Sequence, residues 1–168
     1  EIFTVSQNRI NSMAIIHEML YQSNDFSGID FKDYLPKIAA EIIKTHQRQS
    51  QEVSLDIQVP SIYFNLDMSI ALGLIINEII TNSIQHGFKN QPLGTIRILL
   101  EEKTEQSYIL DINDNGCGFS QDSIKQKKES LGLNIIQKLA KQLDANVVRN
   151  NPEKGVHYQL KFKKPSKK

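Results

Sequence analysis

The sequence predicts an α+β fold, a two-layer sandwich in which helices cover one face of a single mixed, mainly antiparallel sheet. Three observations carry that expectation. Segments with apolar residues at helical spacing alternate with short runs of strict period two, in the order helix, helix, strand, helix, two strands, helix, two strands. The third helical segment is nearly all apolar between Ile70 and Ile76, as suits a helix buried against a sheet. Both pairs of adjacent strands are joined by short polar turns and read as hairpins, hence as antiparallel neighbours.

The elements follow in order. Residues from about Ile2 to Tyr21 read as a helix with Ile10, Met13, His17 and Leu20 on one face, broken at Ser23-Asn24-Asp25. After the connector Phe26-Ser27-Gly28-Ile29, Asp30 is a suitable N-cap for a helix to about His46. Pro36 implies either a late start or a kink in that helix. Val53, Leu55, Ile57 and Val59 alternate on one side of a strand from Glu52 to Val59. Asp67 is expected to cap the next helix, which runs to about His86. A turn at Gln91-Pro92-Leu93-Gly94 leads to strands Thr95–Glu102 and Ser107–Asn113. A polar, lysine-rich segment from Ser120 to Glu129 precedes a helix from about Leu131 to Leu143. Strands Asn146–Asn150 and Val156–Lys163 close the chain around a turn at Pro152-Glu153-Lys154-Gly155. The expected organisation is a helix and connector at 1–29, a sheet domain at 30–163 and a basic tail at 164–168.

Composition narrows the function classes. A chain of 168 residues suffices for one sizeable domain and a small appendage. A net charge of +1 disfavours a strongly basic nucleic-acid binder, and the terminal lysines read as a frayed end. The single cysteine, Cys117, excludes an internal disulfide and fits a reducing cytoplasm. No run reaches the ~18 consecutive apolar residues of a membrane span, so no membrane contact is expected of these residues. The first residue is not Met, and the chain reads as a fragment whose parent protein can carry an anchor elsewhere.

Three motifs lie between residues 77 and 134: Asn77-Glu78-Ile79-Ile80-Thr81-Asn82-Ser83-Ile84-Gln85-His86, then Asp114-Asn115-Gly116-Cys117-Gly118-Phe119, then Ser130-Leu131-Gly132-Leu133. Glu78 and Asn82 are four apart on a helix and project from one face, with His86 one turn later. Unpaired polar groups in a hydrophobic core cost about 1–3 kcal/mol each, so this stripe faces either solvent or a polar ligand. The Asn82 carbonyl oxygen is a neutral ligand suited to Mg2+, which also takes phosphate oxygens and waters. Alternation along Tyr108, Leu110 and Ile112 turns Asp114 inward, where a carboxylate needs a donor such as adenine's exocyclic amine; the alternative is a turn-capping aspartate. Gly116 and Gly118 let the backbone turn sharply and approach a planar base without Cβ interference. Gly132 opens a helix whose free N–H groups and dipole favour phosphate.

In this order and spacing the motifs resemble the N, G1 and G2 boxes of the ATP-binding domain shared by sensor histidine kinases, gyrase, Hsp90 and the mismatch-repair ATPases. The resemblance covers nearly all of residues 50–163. Ser12-Met13-Ala14-Ile15-Ile16-His17-Glu18-Met19-Leu20-Tyr21-Gln22-Ser23 and Ile29-Asp30-Phe31-Lys32-Asp33-Tyr34-Leu35 look like the second dimerisation helix and connector of one histidine-kinase subfamily. The resemblance implies a Bergerat-type ATP-binding fold, ATP and Mg2+ as cofactors, and phosphoryl transfer to a histidine upstream of Glu1. It also implies a homodimer in the full-length protein and a response-regulator receiver domain as partner. By position it makes Asn82 the metal ligand and Glu78 the residue that accepts or orients the nucleophile's proton. Asp114 becomes the adenine ligand, with Gly116, Gly118, Gly132 and Leu133 lining the nucleotide. The same resemblance makes Ser120–Glu129 a short lid. His86 is read as a phosphate contact, or as a capping or surface residue.

Ser130 replaces the first G2 glycine, and Val156 stands where the resembling family has Thr or Ser near the adenine. His17 lies in the wrong helix to be the phosphoacceptor. The alternatives are an anti-sigma-type serine kinase, against which the first helix argues, and a non-catalytic nucleotide-sensing scaffold.

Overall fold

A computed structural model of the chain describes Ile10, Ala14, Glu18 and residues 28–104, 106–118 and 131–164. Ile10, Ala14 and Glu18 are helical and exposed, in keeping with a helix there. The other residues of 1–27, with His17 and with Phe26 and Ser27 of the expected connector, together with Glu105, the expected lid 120–129, Phe119, Ser130 and residues 165–168, lie outside the described residues.

The described fold begins with β1 (Ile29–Asp30), which runs directly into α1 (Phe31–His46). Asp30 caps α1 as expected, its carboxylate accepting from the Lys32 amide at 3.0 Å. Pro36 sits inside α1, so the helix starts before the proline rather than after it. After β2 (Glu52–Gln58), β3 (Tyr63–Phe64) pairs antiparallel with β1, placing Ile29 opposite Phe64. This two-stranded pairing was not anticipated: two residues are too short to show any period. It ties the start of α1 to the chain entering α2 (Leu66–Asn82), and the Phe31 amide adds a bond to the Ile62 carbonyl at 2.9 Å.

The N-cap of α2 is Asn65, whose side chain accepts from the Met68 amide at 2.9 Å. Asp67, the cap expected from sequence, instead lies in the first turn, where its charge complements the helix dipole. Nor does the α-helix run on to His86. It ends at Asn82, and residues Ser83–Gly87 form a single π turn.

The main sheet comprises β2, β4 (Leu93–Thr104), β5 (Ser107–Asp114), β6 (Asn146–Asn150) and β7 (His157–Lys163), in the order β2-β4-β5-β7-β6. Only the β2–β4 pair is parallel. The sheet is thus mixed and mainly antiparallel, as the sequence predicts. β4 starts two residues before the expected Thr95, because Glu52 and Val53 of β2 pair with Leu93 and Gly94.

Alternate residues of the central strands point into one core: Ile96, Ile98 and Leu100 from β4, Tyr108, Leu110 and Ile112 from β5, and Tyr158, Leu160 and Phe162 from β7. Opposite them pack Leu72, Ile75, Ile76 and Ile79 of α2 and Ile38 and Ile42 of α1. α3 (Leu131–Gln142) contributes Ile135 and Ile136. At one end of the core, edge-on and stacked contacts join Phe31, Phe64, Tyr108 and Phe162. Asp114 is six residues from Tyr108 along β5, roughly 20 Å away. The aromatic cluster therefore stiffens the end of the sheet remote from Asp114.

One described helix, Leu66–Gly87, is long and apolar enough to cross a membrane, but most of it is buried inside this core.

Candidate functional site

The site forms where the C-terminal half of α2, the end of β5 and the start of α3 converge. α2 is so apolar that its few polar residues stand out, and the helical repeat sorts them by face. Glu78 and Asn82 are half-buried and face the first turn of α3. The approach is close: a Cβ built on Gly132 would lie 2.7 Å from Glu78 Oε2 and 3.7 Å from Asn82 Nδ2. With no side chain at Gly132, the N-terminus of α3 comes this near without displacing the Glu78 carboxylate. A carboxylate, a carboxamide and the N-terminal amides of a helix are thereby gathered in one place. Leu133 is half-buried and packs on the core behind this turn, holding it in position.

Asp114 ends β5 on the same side of the sheet as Ile112, as alternation requires. Its carboxylate accepts three hydrogen bonds. Oδ1 takes the Gly116 amide at 2.9 Å and the Val156 amide at 3.3 Å, and Oδ2 takes the Ser83 hydroxyl at 2.7 Å. The Asp114 amide in turn donates to the Val156 carbonyl at 3.0 Å. The bond to Gly116 is the turn-capping contact expected of an Asp-Asn-Gly sequence. The other two come from distant elements and go beyond it. Asp114 remains partly exposed. Gly155 lies against it with φ +78, and a Cβ there would meet Asp114 Oδ1 at 2.9 Å. Burial holds the hydroxyl of nearby Tyr158 above its ordinary pKa; Arg149 opposes that shift and the Asp114 charge adds to it.

The π turn joins the two halves of the site. Widening the helix by one residue brings Gly87 against Gly116, so closely that a Cβ on Gly116 would lie 2.7 Å from the Gly87 backbone. The Cys117 amide then donates to the Gly87 carbonyl at 2.9 Å. On the other side of the loop, Asn115 Oδ1 accepts from the Thr95 amide at 2.8 Å. Gly118 has φ +71 and abuts Asn151 and Gly155. His86 sits on the π turn with its side chain exposed, so it does not continue the α-helical stripe of Glu78 and Asn82.

The structure thus brings Glu78, Asn82 and Gly132 together, and Asp114, Gly116 and Gly118 together, with the π turn between. Sequence reasoning missed Ser83, Gly87 and Asn115. Of these only Ser83 carried a signal, as a polar residue in an apolar helix beside Asn82.

The same arrangement of helices over a mixed sheet occurs in solved histidine kinases. The histidine kinase domain of an Erythrobacter litoralis blue-light activated histidine kinase superposes with a TM-score of 0.81, covering 95% of this chain and 79% of that one at 18% identity. By sequence, Blue-light-activated histidine kinase 2 of Erythrobacter litoralis is 25% identical over 142 residues, which is 79% of this chain. Sensor histidine kinase PdtaS of Mycobacterium tuberculosis is 25% identical over 164 residues, or 96% of this chain. This chain spans 40% and 32% of the length of those two relatives.

Fold and site define an ATP-binding catalytic domain of the histidine-kinase type. Residues 68–166 match the histidine kinase-, DNA gyrase B- and HSP90-like ATPase family, residues 1–46 match a histidine kinase family, and the chain belongs to the former.

Proposed function

We propose that this chain is the ATP–Mg2+-binding catalytic domain of a cytoplasmic two-component sensor kinase, passing the γ-phosphate of ATP to a histidine of the full-length protein. Residues 1–29 then belong to the dimerisation helix and connector, 30–163 form the catalytic domain, and 164–168 are a basic tail. The full-length kinase acts as a homodimer, and a response-regulator receiver domain takes the phosphoryl group onward. The observation that carries this reading is the convergence of Glu78 and Asn82 on the Gly132 turn, with Asp114 beyond the π turn.

Asp114 accepts the exocyclic amine of adenine, and Gly116 and Gly118 let the loop lie against the base. The phosphate chain lies at the N-terminal amides of α3, around Gly132 and Leu133, with His86 at its edge. Asn82 offers its carbonyl oxygen to Mg2+. Among the described residues no three His, Cys, Asp or Glu side chains cluster as a metal site. A single carboxamide oxygen from Asn82 would suit a cation whose remaining ligands are phosphate oxygens and waters. Held there, Mg2+ would supply charge neutralisation on those oxygens.

In the transfer step an imidazole nitrogen bonds to the γ-phosphorus as the bond to the β–γ bridging oxygen breaks, releasing ADP. Glu78 accepts or orients the proton the imidazole sheds. The domain's contribution is positioning and charge stabilisation.

Asn82→Ala in the full-length kinase tests the metal role. Phosphohistidine formation is expected to fall at least tenfold at fixed Mg2+ while the fold survives, since the residue is half-exposed. Undiminished transfer removes Asn82 from the site.

A further inference from the structure

We infer that Ser83 is the positioning residue of the base-binding carboxylate: its hydroxyl fixes Asp114 so that one acceptor position on Oδ2 stays open toward the ligand, selecting a purine whose 6-substituent is an N–H donor. The inference rests on the nucleotide reading above and deepens it.

A carboxylate offers about four acceptor positions. Three are filled in Asp114, two on Oδ1 by the Gly116 and Val156 amides and one on Oδ2 by Ser83. Ser83 is the sole side chain among the described residues that donates to Asp114. Val156 reaches the carboxylate through its backbone only, having no hydroxyl. Ser83 is 4% exposed, so water cannot readily take its place.

The hydroxyl has one proton and two candidate acceptors, the Ile79 carbonyl at 3.1 Å and Asp114 at 2.7 Å. The carboxylate is both nearer and charged, and charge-assisted bonds are the stronger, so the proton goes to Asp114. Ile79 already receives the Ser83 backbone amide. Ser83 is also the residue at which α2 widens into the π turn, and such turns recur at functional sites.

Because the three protein groups facing Asp114 are all donors, the open position accepts but cannot donate. A 6-amino purine presents an N–H there, whereas a 6-oxo purine presents an oxygen and is repelled. The carboxylate's orientation makes that distinction, and Ser83 holds one oxygen of it.

The test is titration calorimetry of the chain with ATP and with ITP, whose base carries an oxygen in place of the amine, for wild type, Ser83→Ala and Ser83→Thr. Ser83→Ala is expected to lower ATP affinity about tenfold while leaving ITP nearly unchanged, and Ser83→Thr to stay near wild type. In the ligand-free protein the Gly116 and Val156 amide resonances should shift in Ser83→Ala. ATP affinity within twofold of wild type in Ser83→Ala overturns the inference. So does an equal loss for ATP and ITP, which is the mark of a merely structural role, and so do unshifted amides. Wild type that binds no nucleotide defeats the nucleotide reading first, and this inference with it.

Discussion

Asp114→Asn separates a ligand-binding carboxylate from a turn cap, because the fold and the ligand would lose different amounts. In the wild type, Oδ1 satisfies two backbone amides and Oδ2 the Ser83 hydroxyl. An asparagine can keep its carbonyl oxygen toward Gly116 and Val156 and turn its NH2 group toward Ser83. The Ser83 hydroxyl can then accept from that NH2 and redirect its own proton to the Ile79 carbonyl 3.1 Å away. Every protein donor keeps an acceptor, so the loss of stability should stay near the ~1 kcal/mol of one neutral hydrogen bond.

The ligand has no such escape. An incoming exocyclic amine meets a donor where it needs an acceptor, and loses a hydrogen bond to a charged group. Such bonds contribute about 1.5–3 kcal/mol, which corresponds to roughly 10- to 150-fold in affinity. Calorimetric titration with a non-hydrolysable ATP analogue, paired with a thermal melt of each protein, reads both quantities. A Kd within twofold of wild type alongside a normal melt would refute the reasoning and leave Asp114 as a turn cap.

Two further outcomes follow from named contacts. Gly132→Ala improves helix propensity at the start of α3 by up to about 1 kcal/mol, yet its methyl would sit 2.7 Å from Glu78 Oε2 and push that carboxylate aside. Phosphohistidine formation by the full-length kinase should then drop on the order of 10- to 100-fold with an unchanged or raised melting temperature, and equal activity would show that Glu78 has no fixed role. Burial holds the His46 imidazole below its ordinary pKa of 6.5, so the unfolded chain binds the proton more readily than the folded one. That contribution is full above pH 6.5 and is lost as pH falls through the folded value. Urea denaturation from pH 7.5 to 5 should therefore show a decline that His46→Gln flattens, and an identical slope in the variant would refute the assignment.

Much of this was legible in the sequence, for physical reasons that also mark where legibility stops. Glu78 and Asn82 were readable as a pair because four-residue spacing on an otherwise apolar helix leaves them one face to share. Asp114 was readable because period two fixes its side of β5. Glycines flagged the loop at 116–118 and the start of α3, although which atoms would crowd them depended on tertiary packing. The π turn was invisible: Ser83 to Gly87 carries no residue that forbids an α-helix, and the widening goes together with a tertiary approach of Gly87 to Gly116 that no local pattern shows. The partnership of Ser83 with Asp114 spans 31 residues and two elements, so no local pattern announces it. Asn65 and Asp67 are both competent caps, and only the backbone path out of β3 decides between them.

The most direct test of the central claim is calorimetric titration of the wild-type chain with a non-hydrolysable ATP analogue, with and without Mg2+. The account predicts saturable binding at a single site, tightened by Mg2+ and competed by ADP. No heat at millimolar nucleotide under either condition would contradict it.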